Sequence, residues 1–352
     1  MVQRKRFSFE FSSSQKLKKA LFAFAQSRSD DAQISLYLDT NQHQDKHGTY
    51  QVLLALDPVS DFRIEFAGSG DWSRLSLWQK AQQDWCFGHL AYDFKNAQEQ
   101  LRSENIDGIG FPEAYFFVPA KLFLVQNNTL IGLYLKNEAH AWAQDLEFIT
   151  ALFHQRTPLD SDQNRITDPK GIALKGRLTF EQYQEKFDQI QKHIQRGDIY
   201  ETNFCQEFYC DDAVLDPANV FQELNDYSKA PFSAFYQLKD RYALCASPER
   251  YLNKKGKTLI SQPIKGTLKR LSEPQADQKA VAAFVNDPKE RRENIMITDL
   301  VRNDLSIVAA RDSVQVQELC TLKSYEHIHQ LVTTISAELK EGLGPVDALK
   351  AT

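Results

Sequence analysis

The chain has 352 residues, of which 42% are hydrophobic and 25% charged, and its formal net charge is −5. These values are typical of a globular protein with a buried core, and they offer no basic footprint for nucleic acid or an anionic membrane. The basic N-terminus lacks the apolar run of a secretory signal, and no apolar stretch is long enough to span a bilayer. Five irregularly spaced cysteines without a C-x-x-C pair predict reduced thiols and a cytoplasmic location.

Short apolar runs bounded by polar segments predict strands in the first part of the chain. Residues 34–40 and 50–56 are rich in aromatic and branched side chains, which favour strands. Residues 114–135 predict two further strands joined by a turn at Asn127 and Asn128. After them, residues 154–177 hold two prolines, two glycines and few large apolar side chains, and they therefore predict a linker.

Capping residues mark the helices of the second part. Thr179, with Gln182 three residues later, forms a capping-box pattern, and apolar residues then recur every three or four positions. Gly197 is a natural helix stop, and residues 199–210 after it predict a strand. Asp216 followed by a proline predicts the start of another helix.

A further capped helix begins at Asp287 and is predicted to run to about Arg302. The helical period places one set of residues along a single inward face: Glu293, Met296, Ile297, Leu300 and Asp304. A carboxylate on that face has to be protonated, paired or bound to a metal, because an unpaired buried charge is costly. For Glu293 the alternatives are an internal salt bridge, to Arg291 or Arg302, and a Mg²⁺ site. Magnesium suits a lone carboxylate that leaves room for water and an anionic substrate.

Glu249 and Lys265 both lie where a strand meets a turn. The polar run at residues 253–257 between them predicts the tip of a hairpin. Folding this hairpin brings the flanking strands side by side, so the two side chains are expected to approach each other. The pair is then either a surface ion pair, which contributes about 0–1 kcal/mol, or an acid–nucleophile pair. In the second case burial lowers the pKa of the lysine and raises the pKa of the glutamate.

Four motifs, in this order and spacing, resemble those of the chorismate-utilising enzymes: SPERY, QPIKGTLKR, ENIMITDLVRND and IHQLVTTISAEL. GDIYETNFCQEF resembles the strand that opens the catalytic domain of that family, and FGHLAYDF resembles a Gly-aromatic element of its amidotransferase-linked members. Anthranilate synthases carry alanine, as PIAGT, where this chain has Lys265, and aminodeoxychorismate synthases carry lysine. Relatives that use water as the nucleophile carry a lysine where this chain has Glu201, which argues against isochorismate or salicylate synthesis.

The fold expected from these features is of the α+β class. The strand–turn–strand segments predict antiparallel sheets, and the resemblance implies that two such sheets pack face to face with flanking helices. It also implies an N-terminal anthranilate synthase component I-like region at residues 1–165 and a chorismate-binding catalytic domain at residues 175–352. The chain ends at Thr352, before the GSITGAPK segment of the family. We therefore expect an incomplete catalytic domain, an incomplete metal site and exposed apolar surface.

The resemblance implies an amination of chorismate in para-aminobenzoate and folate biosynthesis. Lys265 is expected to add to ring carbon 2 as a neutral amine, while Glu249 protonates the hydroxyl group that leaves carbon 4. Ammonia from a separate glutamine amidotransferase subunit then enters at carbon 4, which gives 4-amino-4-deoxychorismate. Glu293 is expected to hold Mg²⁺ against a substrate carboxylate. The alternatives are anthranilate synthesis, which Lys265 argues against, and a non-catalytic subunit that binds an amidotransferase.

Two further residues are expected to bind the substrate. Thr267 lies in the same turn as Lys265 and is expected either to hydrogen-bond the substrate or to stabilise the turn. Gln330 stands where the family often has a histidine. Either Gln330 donates a hydrogen bond to the substrate in place of the histidine, or that role is dispensable when Lys265 acts as the nucleophile. His329 precedes it on a predicted strand and points to the opposite face, so no catalytic role is assigned to it.

Overall fold

The computed structural model describes residues 4–28, 33–43, 45–99, 101–155 and 172–352. Within these residues, no helix combines the length and the apolar character that crossing a bilayer requires. The first part of the chain supplies the strands β1 (Arg4–Glu10), β2 (Ile34–Asp39), β3 (Val52–Ile64), β4 (Phe87–Leu90), β5 (Ala114–Gln126) and β6 (Thr129–Leu135). Its helices are α1 (Ser14–Ser27), α2 (Asp71–Gln82), α3 (Asn96–Glu99) and α4 (Trp142–His154), with 3₁₀ helices at Tyr92–Lys95 and Lys136–Ala141.

The second part of the chain contributes shorter strands and longer helices. Its strands are β7 (Lys175–Gly176), β8 (Phe208–Tyr209), β9 (Phe232–Leu238), β10 (Arg241–Ser247), β11 (Arg250–Lys255), β12 (Thr258–Gln262), β13 (Ile264–Lys269), β14 (Gln315–Ser324) and β15 (Ile328–Glu338). Its helices are α5 (Phe180–Arg196), α6 (Pro217–Ser228), α7 (Pro274–Val285), α8 (Pro288–Val308) and α9 (Pro345–Ala351).

A large antiparallel sheet runs in the order β1-β6-β5-β3-β2-β9-β10, with β4 beside β5. The predicted strand at residues 34–40 is β2, and the predicted hairpin at residues 114–135 is β5–β6, with Asn127 in the left-handed conformation of its turn (φ 54°). The hairpin β9–β10 comes from the second part of the chain and pairs with β2, so this sheet includes strands from both predicted regions. Most of the predicted linker lies outside the described residues.

Helices α1, α4 and α6 cover one face of this large sheet with aromatic and aliphatic side chains. Phe22 of α1 packs edge-on against Tyr37 of β2, with their ring centroids 5.1 Å apart. Next to this core lies a charged cluster. Lys121 Nζ is 2.8 Å from Asp145 Oδ2, and the same oxygen accepts a 2.8 Å hydrogen bond from Tyr134 OH. Because all three side chains are buried, removing one partner would leave the other two without their shared ion pair and hydrogen bond.

The second sheet has the order β11-β12-β15-β13, with β14 paired to β15. Its hairpin β11–β12 turns at Gly256, as predicted for residues 253–257. Helices α8 and α9 pack on this sheet, and the shared apolar core includes Leu259, Leu305, Val308, Ile335, Ala337 and Ala348. The α+β class, with antiparallel sheets and flanking helices, is confirmed.

Helix α5 has the predicted capping box at Thr179 and ends before Gly197, but the strand predicted at residues 199–210 is wrong. Residues 201–207 have no regular secondary structure, and only the short strand β8 forms, paired with β7. Strand-forming composition is not sufficient here, because a strand also needs a neighbouring strand of similar length to pair with. Large apolar side chains are exposed along α5 and the segment after it: Phe180, Phe187, Ile199, Tyr200 and Phe208.

Helix α8 begins after Asp287, as predicted, and continues past Arg302 to Val308. The predicted inward face, which included Glu293 and Leu300, is wrong by about one residue. The residues that α8 buries are Asn294, Thr298, Leu305 and Val308, whereas Leu300 is 55% exposed. The face was misplaced because two of the buried side chains are polar, and a pattern of apolar residues does not register them.

Candidate active site

Lys265 lies in a β-bulge of β13. Ile264 pairs with Val332 of β15 and Thr267 pairs with Gln330, so two residues of β13 stand opposite Leu331 alone. The second bulge residue, Gly266, has φ +85°, a left-handed conformation that glycine adopts without strain. A bulge of this kind interrupts the strand ladder and redirects a side chain, and such bulges are frequent beside active sites.

The side chain of Lys265 ends between two oxygen acceptors. Lys265 Nζ is 2.5 Å from Glu201 Oε1 and 3.3 Å from Asn203 Oδ1. Both acceptors come from the irregular segment after α5, which Phe204 anchors by stacking on Tyr183 with ring centroids 4.7 Å apart. Since an ammonium group has only donors and a carboxylate only acceptors, this geometry describes Lys265 as a cation paired with Glu201.

Glu249 lies beside the same bulge, between β10 and β11. Its Oε1 accepts a hydrogen bond of 3.1 Å from the backbone N–H of Ile264, the residue before Lys265. Loss of solvation around the carboxyl group raises the pKa of Glu249, while the Ile264 N–H and the positive charge of Lys265 oppose that rise. The structure therefore brings Glu249 and Lys265 to the same bulge, and loss of solvation shifts the pKa of Glu249 upward.

Thr267 and Gln330 face each other across β13 and β15. Gln330 Nε2 donates to Thr267 Oγ1 at 3.2 Å, and Gln330 is only 7% exposed. Among the described residues, Gln330 Oε1 is buried and has no hydrogen-bond partner. His329 is engaged elsewhere: its ring nitrogens lie 2.7 Å from Ser324 Oγ and 3.0 Å from Asp277 Oδ2.

The carboxylate of Glu293 is 41% exposed and lies 3.8 Å from Lys289 Nζ, one turn earlier on α8. Its predicted partners are wrong. Arg302 pairs with Asp299 instead, and Arg291 donates to the carbonyl oxygen of Val285, with no ion pair to Glu293 in the part of the chain that the structure describes. Within that same part, no group of three or more His, Cys, Asp or Glu side chains is arranged to hold a metal. A single available carboxylate still fits Mg²⁺, which often takes one or two protein ligands and fills its other positions with water and substrate oxygens.

Three neighbours of this site were not predicted from the sequence. Asn203 contacts Lys265, as described above. Tyr325 OH donates to the carbonyl oxygen of Pro248 at 3.3 Å, and burial, followed by the nearby charge of Glu249, raises the pKa of this tyrosine. Asn294 is 0% exposed and donates from Nδ2 to the carbonyl oxygen of Lys265 at 3.3 Å. Asn294 follows Glu293 directly in the sequence, so a correct placement of the buried face of α8 would have identified it.

Residues 21–352 match the model of the chorismate binding enzyme family. The chain belongs to this family. It is 42% identical over 174 residues to aminodeoxychorismate synthase component 1 of Escherichia coli, a match that covers 49% of this chain and 38% of the relative. It is 26% identical over 272 residues to aminodeoxychorismate synthase component 1 of Bacillus subtilis, which covers 76% of this chain and 58% of that protein.

The fold is also similar to that of solved structures. The crystal structure of anthranilate synthase component I from Streptococcus pneumoniae TIGR4 has a TM-score of 0.73 and 19% sequence identity, covering 88% of this chain and 73% of that chain. The sequence matches to the E. coli and B. subtilis relatives span only 38% and 58% of their lengths. The chain is thus similar to part of longer proteins.

Proposed function

We propose that this chain is the chorismate-aminating component of an aminodeoxychorismate synthase, which converts chorismate and ammonia into 4-amino-4-deoxychorismate and water. The observation that carries the proposal is the position of Lys265 in a bulge, paired with Glu201 and adjacent to Glu249. This arrangement supplies a nucleophile, a proton acceptor for it and an acid. The similarity to relatives named aminodeoxychorismate synthase component 1 supports the same reaction.

The first step needs a neutral Lys265, because an ammonium group has no free electron pair. Glu201, at 2.5 Å, is placed to take that proton. The amine then forms a bond to ring carbon 2, both conjugated ring double bonds shift by one position so that one of them ends at carbon 4, and the carbon–oxygen bond at carbon 4 breaks. Glu249 gives its proton to the departing hydroxyl group, which leaves as water. Its raised pKa keeps this carboxyl protonated closer to neutral pH, as an acid catalyst requires.

The second step reverses the displacement. Ammonia adds at carbon 4, both double bonds move back, and the bond between Lys265 and carbon 2 breaks. The lysine recovers its proton from Glu201, and the proton released by the new amino group restores Glu249. Both side chains are then ready for another turnover. The lysine intermediate replaces one difficult displacement by two easier ones, which is the general advantage of covalent catalysis.

Substrate binding is assigned to polar groups around the bulge. The unpartnered end of the Gln330 amide and the hydroxyl of Thr267 would hydrogen-bond the substrate, which the lack of a partner for Gln330 Oε1 supports. Glu293 would hold Mg²⁺, which when bound supplies positive charge opposite a substrate carboxylate. Ammonia would come from a glutamine amidotransferase, and the designation "component 1" of the relatives supports a partner of this kind. In vitro, free ammonium replaces the partner.

The proposal is tested with chorismate, ammonium and Mg²⁺, followed by mass spectrometry of the products. We expect an aminated product that retains the enolpyruvyl group, and release of pyruvate with an aromatic product would instead establish anthranilate synthesis. With chorismate but no ammonium, we expect the intact protein to gain the mass of chorismate minus water. Lys265→Ala should abolish both the adduct and the product, whereas Lys269→Ala, on the same strand, should abolish neither. A Lys265→Ala protein with the wild-type rate would refute the proposal.

A further inference from the structure

The side chain of Asn294 lies at the centre of the contact between α8 and the second sheet. Its Nδ2 donates to two carbonyl oxygens, that of Lys265 at 3.3 Å and that of Leu331 at 2.9 Å. Its Oδ1 accepts from Thr333 Oγ1 at 2.5 Å and from Cys320 Sγ at 3.5 Å. The amide uses both its donors and its acceptor on β13, β14 and β15, so one buried side chain ties three strands to α8.

The two carbonyl groups that Asn294 binds belong to the bulge itself. Lys265 and Leu331 stand opposite each other where the pairing of β13 and β15 breaks. A bulge takes residues out of the regular strand ladder, and a buried carbonyl group that loses its ladder partner needs another donor. Asn294 provides that donor for both strands, so the bulge depends on this side chain for its hydrogen bonds.

Helix α8 also fixes the bulge from a second direction. A Cβ atom added to Gly266 would lie 2.9 Å from Glu290 Oε2 and 3.3 Å from Phe284 Cζ. The backbone of the bulge is therefore packed closely against the first turn of α8 and the end of α7. The left-handed Gly266 and the hydrogen bonds to Asn294 are two independent constraints on the backbone position of Lys265.

We infer that Asn294 is a positioning residue for Lys265, an inference that rests on the nucleophilic role proposed above for this lysine. By holding the Lys265 carbonyl group, Asn294 sets the direction in which the side chain leaves the strand and keeps Nζ within reach of Glu201 and Asn203. The neighbouring buried polar residue of α8 differs, because Thr298 donates only to the carbonyl oxygen of Asn294 within its own helix, at 2.7 Å.

The test compares Asn294→Ser with the matched control Thr298→Val in the full chain. Each protein is labelled with a trace of acetic anhydride, and mass spectrometry measures the acetylation of Lys265 relative to Lys269. We expect acetylation of Lys265 to rise about tenfold in Asn294→Ser, the factor that corresponds to loss of one hydrogen bond to a charged group, and to stay unchanged in Thr298→Val. We also expect kcat to fall about 100-fold, as for a nucleophile misplaced by about 1 Å, with the KM for chorismate within about twofold.

Gly266→Ala tests the same bulge without altering Asn294, and it decides the matter if Asn294→Ser fails to fold. Its expected effect is the same rise in Lys265 acetylation. Unchanged acetylation in the folded variants would overturn the inference, and so would an equal rise in Thr298→Val. The labelling requires no turnover. A wild-type chain that makes no product but shows the expected labelling would therefore count against the proposed function alone.

Discussion

Replacement of Gln330 by methionine should separate substrate binding from stability. Gln330 is 7% exposed, donates one hydrogen bond to Thr267 and leaves the other end of its amide buried without a partner among the described residues. Methionine has a similar length and is also unbranched, so Gln330→Met removes both polar ends and leaves little empty space. The variant therefore isolates the amide group.

The expected change in stability follows from two opposing terms. Loss of the hydrogen bond to Thr267 destabilises the fold by about 0.5–1.5 kcal/mol, while removal of a buried, unpaired polar group stabilises it by about 1–3 kcal/mol. The net free energy of unfolding should thus stay nearly constant or rise by up to about 2 kcal/mol. Substrate binding should weaken, because a hydrogen bond that Gln330 Oε1 accepts from a neutral hydroxyl group contributes about 0.5–1.5 kcal/mol, which corresponds to an about 2- to 12-fold higher KM for chorismate.

The measurements are urea unfolding and the KM for chorismate. Thr334→Val is the matched control: Thr334 lies on the same strand, is 0% exposed and has both a donor and an acceptor in Gln262 and Glu318. This control should lose stability with little change in KM. If Gln330→Met instead lost more than about 2 kcal/mol of stability and kept the wild-type KM, Gln330 would have a structural role, and its assignment to the substrate would be wrong.

Two further predictions concern ionisable groups. The raised pKa of Glu249 means that the folded protein holds this proton more tightly than the unfolded chain, so stability falls as the pH rises from the unfolded pKa of about 4.3 through the folded value. Glu249→Gln has no carboxyl proton to lose at this position. In urea unfolding, the free energy of unfolding of the variant relative to the wild type should therefore increase from pH 4.5 to 7.5. A difference between the two proteins that stays constant with pH would contradict the raised pKa of Glu249. Asp145→Ala should cost about 3–5 kcal/mol of unfolding free energy, because Lys121 and Tyr134 stay buried without their shared partner. A loss below about 1 kcal/mol would show that water replaces it.

Local signals in the sequence predicted the elements that surround the site. The capping box at Thr179, the aspartates before α6 and α8, and the turn residue Asn127 each act within a few residues of themselves. The hairpin tip at residues 253–257 was predicted for the same reason. It pairs β11 with β12, and Glu249 before β11 then accepts a hydrogen bond from Ile264 after β12, next to Lys265. These elements depend on short-range chemistry, which a single sequence records.

The unpredicted features depend on contacts between distant segments. Glu201 and Lys265 are 64 residues apart, and the acceptor comes from an irregular segment that no periodic pattern describes. Asn294 is buried, and its side chain donates hydrogen bonds to two carbonyl groups at the bulge. A bulge at Lys265 has no signal in the sequence beyond the glycine that follows it. The buried face of α8 was misplaced because its contacts with the sheet are polar at this end.

Loss of solvation raises the pKa of Glu249, and the charge of Lys265 at the bulge opposes that rise. Lys265 is paired with Glu201, so the positive charge is largely neutralised before substrate arrives. Chorismate brings two more carboxylates, and negative charge near Glu249 favours its protonated form, as does the further loss of water when the ligand binds. Under the proposed reaction, substrate binding therefore promotes the protonation that the departing hydroxyl group requires. Mg²⁺ at Glu293 would supply positive charge opposite a substrate carboxylate. Protonation of Glu249 and binding of the metal would then each reduce the electrostatic repulsion that the negatively charged ligand experiences in the site.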